Sequence, residues 1–437
     1  MLEIFGEFYK VLVPLIDSFD KWVFPVIKTW WWVLPPFLLY KPAVFLWFWW
    51  RQELNFKDRK YLLLEIRLPA ETLKPIKAME DVFSTFYMIA TDHDPGDFRE
   101  KWIEGETTFY PALSLEIVSF GGETRFYIRT EDIYRDNLKS AIYSQYPNAE
   151  ITETEDYTLR VPPDIPNEKW NLEGREFVLK KPDCYPIKTY EKFETGTESK
   201  EEKRVDPMAK LLEALSALKE GEQIWVQILL NSPEKDWKAE GEKIRDKLVK
   251  RRAPPSPKPI LIEALDILIH GLKEEKEEEV KLLYPEMMLT PGEKEIVKEI
   301  EIKMSKSALG TTVRIIHLGE KEVFYKPHIG HPISFVMDFN TGHLNRFATI
   351  SQTTTKVHST LLWRMDKRRS FLRKRKMFRN YKLRLTPFFP MHGGTSILNL
   401  EELASMFHFP GRTVAPAPFV PRIEAKKGEA PSELPTE

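Results

Sequence analysis

From Lys60 onward the spacing of apolar and polar positions changes several times, and each change predicts an element. In KYLLLEIRL, Leu62, Leu64 and Ile66 alternate with Tyr61, Glu65 and Arg67, the period of two expected of a half-buried strand. Ile76, Met79, Phe83, Phe86 and Ala90 then recur at helical spacing. ALSLEIVSF and ETRFYIR read as two further strands joined through Gly121 and Gly122, a two-residue hairpin signal. A helix is predicted over 131–145, with Tyr134, Leu138, Ala141, Ile142 and Gln145 on one face, and AEITETEDY can close the sheet. The order is βαββαβ, the ferredoxin-like or split βαβ arrangement.

A weaker copy of that order follows. A strand within EGREFVLKK leads through a charged linker to a helix marked by Asp206 as N-cap and Pro207 at its first position. QIWVQILL supplies a second strand, TVRIIHL a third, HPISFVMDF a second helix and TSILNL a last strand before a short helix over 401–407. Between the second and third strands lies a helical insertion, interrupted by APPSPKP and resumed at Thr290, Pro291 and Glu293, which form a capping-box signal. The predicted class is α+β: a membrane anchor region over 1–54, a first ferredoxin-like domain over 55–160, and a second over 170–410. The second carries the insertion at 232–307 and a basic segment at 356–384, and a Pro-rich tail occupies 411–437.

The amino-terminal stretch has a different character. Seven of the 12 Trp lie between Trp22 and Trp50, among them Trp30, Trp31, Trp32, Trp47, Trp49 and Trp50, where the only charges are Lys28 and Lys41. Trp and Tyr favour the headgroup level of a bilayer, and Lys can extend its ammonium along an apolar stem toward water. Thr29 to Trp50 is 22 residues, enough for about 30 Å of hydrocarbon, although Lys41, Pro35, Pro36 and Pro42 interrupt it. One kinked or tilted span is the leading expectation; an interfacial hairpin and a buried aromatic helix pair are the alternatives. Arg51, Lys57, Arg59 and Lys60 follow directly, whereas residues 1–21 hold only Lys10 and Lys21, which places the carboxy-terminal part in the cytoplasm, at the inner membrane.

Composition narrows the chemistry. At 42% hydrophobic and 30% charged residues the chain is of globular type, and 65 basic against 66 acidic residues make the overall charge uninformative until it is mapped along the sequence. The single cysteine, Cys184, excludes an intramolecular disulfide framework and a thiolate metal cluster. No GxxxxGK[ST], GxSxG or HExxH string occurs. His328 and His331 are three apart, but Pro327 and Pro332 interrupt a helix there and no cysteine lies nearby, so ordinary histidines are expected rather than a metal site. Neither a catalytic residue nor a cofactor is expected.

The outstanding feature is positive charge. Between Lys356 and Arg384 there are twelve Lys and Arg against Asp366 alone, a net +11, with Trp363, Phe371, Phe378 and Tyr381 interleaved. Arg368, Arg369, Arg373, Lys374, Arg375 and Lys376 are the candidate contacts to nucleic acid or to an anionic leaflet. A solvated helix face that meets an acidic run, such as Glu274–Glu279 of this chain or one on a partner, is the plainer alternative.

Several strings are similar to a known group: LLLEIRLP, LEIVSFGGETRFYIRT, AIYSQYPNAEI, LTPGEKEIVKEIEIKMSK and LASMFHFPG followed by PRIEAKKGEAP. They resemble the amino-terminal region of bacterial conjugative-type DNA-translocating ATPases, which are similar to type IV secretion coupling proteins and other FtsK/HerA-like motors. The resemblance implies a membrane segment, a mixed α/β region and then a P-loop motor. Here the Walker positions are missing and the chain stops at Glu437. The implied function is therefore a membrane-anchored, non-catalytic accessory subunit that docks or positions a separate P-loop translocase ATPase. The alternative is a membrane-bound nucleic-acid-binding protein without a motor partner. The expected partners are that ATPase, the bacterial membrane, DNA and further copies of the chain.

Overall fold

The computed structural model describes residues 28–29, 33–69, 74–92, 96–106, 111–193, 206–233, 236–249, 289–358, 363–387 and 394–410. The chain forms two compact units, Met1–Arg59 with Pro95–Thr107, and Lys60–Asp94 with Thr108–Glu437. The predicted tail, the acidic run at 274–279 and Trp30, Trp31 and Trp32 lie outside the described residues.

In the first unit a helix, α1 (Leu34–Asp58), runs for 25 residues with Pro42 inside it. Its length, about 37 Å at 1.5 Å per residue, exceeds what a bilayer needs. Its composition does not match that length, because Lys41, Arg51 and Glu53 fall within it and its three Trp and one Tyr are only weakly apolar. Among the described residues no helix is long and apolar enough to cross a membrane, so the expected span over 29–50 is not supported.

The second unit is built on one antiparallel sheet. Its elements are β1 (Tyr61–Arg67), α2 (Lys77–Thr91), β2 (Leu113–Phe120), β3 (Glu123–Glu131), α3 (Arg135–Gln145) and β4 (Glu150–Thr154). There follow β5 (Trp170–Leu179), α4 (Pro207–Ser216), β6 (Glu222–Asn231), α5 (Trp237–Leu248), α6 (Pro291–Ser305) and β7 (Ala308–Glu320). The last are α7 (Gly330–Asp338), β8 (Phe347–Thr349), α8 (Asp366–Lys382), β9 (Ser396–Asn399) and α9 (Leu400–Met406). The strand order is β4-β1-β3-β2-β6-β7-β5-β8, with β9 paired to β7. Each half thus contributes four strands in the order fourth, first, third, second. The halves join through their second strands, β2 and β6, in register from Leu113↔Leu230 to Phe120↔Gln223. TSILNL was expected to be the fourth strand of the second half. That place belongs to the three-residue β8 on β5, while β9 pairs with the first residues of β7, from Ala308↔Asn399 to Thr311↔Ser396.

Helices line one face of the sheet and bury Leu64, Leu115, Phe126, Ile228 and Ile315 against Phe83, Leu138, Leu211, Phe335 and Leu403. The opposite face carries Leu63, Val118, Tyr127, Trp225 and Ile316 under Tyr157, Val161 and Ile165 and under Met377, Phe378 and Tyr381 of α8. Cover on both faces leaves β7 buried along its length up to Glu320, with no alternation of buried and exposed positions.

A buried ion pair closes the helical layer. His408 Nδ1 lies 2.9 Å from the Ala404 carbonyl, which can only accept, and Nε2 lies 2.8 Å from Oδ1 of Asp206, the N-cap of α4. With acceptors on both sides the ring carries two protons. Burial disfavours that charge, but Asp206 and the Ala404 carbonyl outweigh it and raise the His408 pKa, while Asp206 sits below its ordinary value. His408 therefore contributes stability that is fully present below the unfolded histidine value and is lost as pH rises through its folded one; Asp206 contributes stability lost as pH falls through its lowered value. Nitrogen-15 NMR at pH 7 is expected to show an imidazolium at His408. A neutral tautomer there would refute the pairing.

Candidate nucleic-acid interface

Polar residues form a row straight across the α8-covered face. Tyr127, Glu116, Gln227, Arg314 and Glu176 stand opposite one another on β3, β2, β6, β7 and β5. Gln227 donates to Glu116 at 2.9 Å and accepts from Arg314 Nη1 at 2.8 Å, and Arg314 Nε donates to Glu176 at 2.6 Å. Tyr157 donates to the second Glu116 oxygen at 2.7 Å and shares a hydroxyl contact of 2.7 Å with Tyr381. Buried charges survive only when partnered, so this row fixes what can lie over it.

What lies over it is the end of α8. Arg384 adopts φ 52, a left-handed conformation in which a non-glycine residue is strained. Its N–H bonds the Tyr381 carbonyl and that of Leu385 bonds the Asn380 carbonyl, the paired pattern of a Schellman stop. The strain is offset by the side chain, which donates to both Glu116 oxygens at 3.0 and 3.2 Å and to both oxygens of Asp156. Burial alone would push the Glu116 carboxyl up; the Arg384 guanidinium and the Ser114 and Tyr157 hydroxyls reverse this and hold it below its ordinary value. Gly174 of β5 completes the seat, since a Cβ there would meet Met377 Sδ at 2.0 Å.

This seating divides the predicted cations into two groups. Lys374 faces inward, 3.3 Å from Glu173 and 2.9 Å from Asn171 Oδ1; Arg373 donates to the carbonyls of Ser351 and Thr354, both at 2.9 Å; Arg369 is 3.6 Å from Asp366. Of these three expected ligand contacts, Lys374 and Arg373 also tie α8 to β5 and to the turn at 351–354, while Arg369 pairs within the helix itself. Arg384, counted in the basic run, is buried for the reason just given. Arg368, Arg375 and Lys376 are exposed, as is Arg379, and none of the four has a carboxylate partner among the described residues. They share one stripe of α8 with Leu372, 54% exposed, and Leu383, 43% exposed. Phe371 borders it with the Arg375 guanidinium 5.7 Å above its ring, and both line a cleft of about 820 Å³ that also includes Asn171 and Lys321. The stripe therefore offers four unneutralised cations on a rigid support.

A second polar cluster centres on buried Glu222. Glu222 accepts from His317 Nε2 at 2.7 Å and His328 Nδ1 at 2.9 Å, with Phe324 stacked on the His317 ring at 4.3 Å. The His328 and His331 rings lie 6.1 Å apart. Among the described residues no group of His, Cys, Asp and Glu could hold a metal ion. Burial pushes the Cys184 thiol up to about 11, which leaves it a poor nucleophile. Of the described anchor residues, Trp47, Trp49 and Trp50 are all exposed on α1.

Residues 72–326, more than half of the chain, match the family described as a domain of unknown function, DUF8128, and the chain belongs to that family. The matched stretch ends before α8. No curated protein matches the chain.

Proposed function

We propose that this chain is a membrane-associated, non-catalytic accessory subunit that presents a basic helix to DNA beside a separate P-loop translocase ATPase. In this reading each half of the sheet is a ferredoxin-like unit, and the join between β2 and β6 makes the two a single platform. The observation that carries it is the exposed stripe of Arg368, Arg375, Lys376 and Arg379, unneutralised among the described residues, on a helix that packs on β5 and whose carboxy-terminal end reaches Gln227 and Glu116 at that join. Four cations along one ridge suit a phosphate backbone, whose charges are read without regard to sequence. The motor partner rests on the sequence resemblance, and the membrane on the Trp-rich helix.

Anisotropy of a labelled DNA titrated with the full chain at roughly 50 mM salt is expected to show binding at micromolar concentration or tighter, with ATP turnover at the buffer level. Absence of DNA binding would overturn the reading of α8, and binding of anionic vesicles through α8 in its place would assign the helix to a leaflet. Robust hydrolysis by the chain alone would overturn the non-catalytic assignment.

A further inference from the structure

The first unit contains a second apolar element that sequence periodicity does not reveal. Residues 96–106, between α2 and β2 in the chain, include a π-helical turn, Glu100–Glu104, that packs on the carboxy-terminal half of α1. Trp102 lies 4.2 Å from the Phe48 ring, and its carbonyl accepts the Trp47 indole N–H at 3.0 Å. Asn55 donates to the Glu104 carbonyl at 3.1 Å. Gly105, at φ 77, approaches so closely that a Cβ would meet the Arg51 carbonyl oxygen at 2.5 Å.

This packing leaves large apolar groups outside. Phe98 is 71% exposed and stacks on Trp102 at 5.4 Å, and Ile103 is 53% exposed. On α1 itself Phe45, Leu46, Trp49 and Trp50 are each more than half exposed. An exposed apolar collection of this size marks an interaction surface. Its chemistry selects the occupant. The Arg51 guanidinium stands 5.7 Å above the Trp50 ring and the Lys101 ammonium 5.9 Å above Phe48, so cations and Trp rings share one level, as at the headgroup boundary of a bilayer. Arg99 is paired with Glu104 at 3.0 Å, and with Asp97, Glu100 and Glu106 also present residues 96–106 carry a net charge of −2, so the apolar rings rather than charge select the lipid.

We infer that residues 96–106 form a second membrane-contacting element, which places Phe98 and Ile103 in the headgroup region of a lipid leaflet next to the Trp47–Arg51 level of α1. The inference rests on the membrane reading above and adds to it a second contact outside α1. Attachment at the interface is consistent with the finding that no described helix is long and apolar enough to cross.

The test is flotation of the full chain with vesicles of equal parts phosphatidylethanolamine and phosphatidylglycerol, compared with the variant Phe98→Asp/Ile103→Asp. Both side chains are more than half exposed, so the variant is expected to keep the wild-type thermal melt and DNA binding while its vesicle partitioning falls at least tenfold. In parallel, an environment-sensitive dye on Phe98→Cys in a Cys184→Ser background is expected to shift to the blue when vesicles are added. Equal flotation of both proteins together with an unshifted dye would overturn the inference and leave membrane association by α1 standing. If the wild type itself does not float, the membrane reading fails as well. A wild-type dimer that the double variant dissociates, without flotation, would give the surface to a second copy and overturn the lipid assignment.

Discussion

Arg384→Met is expected to lower the stability of the fold by about 3–5 kcal/mol, the usual cost of leaving a buried carboxylate without its cation. Arg384 is 2% exposed and Glu116 is wholly buried, so water cannot take the place of the lost partner. Met fills much of the same volume, which limits the part of the loss that cavity formation explains. The sign of the pH dependence separates the two causes. In the native protein Glu116 is held below its ordinary pKa, so it contributes stability above the unfolded carboxylate value that is lost as pH falls through the lowered one. Without Arg384 the burial effect remains and the Glu116 pKa rises above the unfolded value. The gap between variant and wild type should therefore be widest near pH 7 and narrow toward pH 4, and Arg384→Met/Glu116→Gln should recover part of the loss. Urea denaturation at the two pH values checks this. A gap independent of pH would assign the loss to packing.

The legible part of the fold was the half whose strands are long enough to show a period and are linked by short, marked turns. The first half, from β1 to β4, lies where its alternation and helical spacing put it, with the Gly121-Gly122 turn between β2 and β3. Side-chain caps were legible too: Asp206 accepts from Met208 N–H, and Thr290 and Glu293 form a reciprocal box. The place of the last strand was not. Phe347–Thr349 is too short for a period to show, while TSILNL has strand composition but meets only the first residues of β7.

The candidate site was legible as charge and opaque as geometry. Glu116, Gln227, Arg314 and Glu176 occupy inward strand positions, where a rule that reads polar as outward assigns them wrongly, and only the strand register brings them into one row. Lys374 and Arg384 count as solvent cations in any tally along the chain, yet their partners Glu173, Glu116 and Asp156 are far away in sequence. One signal was available: Met377, Phe378 and Tyr381 mark the buried face of α8, and Lys374, one turn before Met377 and Phe378, belongs to that side. Residues 96–106 gave no periodic signal because they pack through a single π-helical turn.

Replacing Arg368, Arg375, Lys376 and Arg379 with Gln is expected to weaken DNA binding by at least about a hundredfold at low salt, because each cation removed forfeits the release of a condensed counterion. The same change should leave the thermal midpoint within a few degrees of wild type. All four side chains are exposed and lack carboxylate partners among the described residues, and exposed charges contribute little to folding. By contrast, Lys374→Gln is expected to act on stability, since it leaves Glu173 with a weaker set of cations. A similar DNA-binding loss from both changes, at unchanged stability, would mean that the helix is not seated as described.

The most direct measurement is the slope of log affinity against log salt for the wild type and the fourfold Gln variant on the same DNA. If the stripe meets the phosphate backbone, the wild-type line is steep and the variant line flatter by about three to four, close to one for each contact removed. Parallel lines of equal slope would show that these cations do not touch phosphate and would contradict the proposed role of α8.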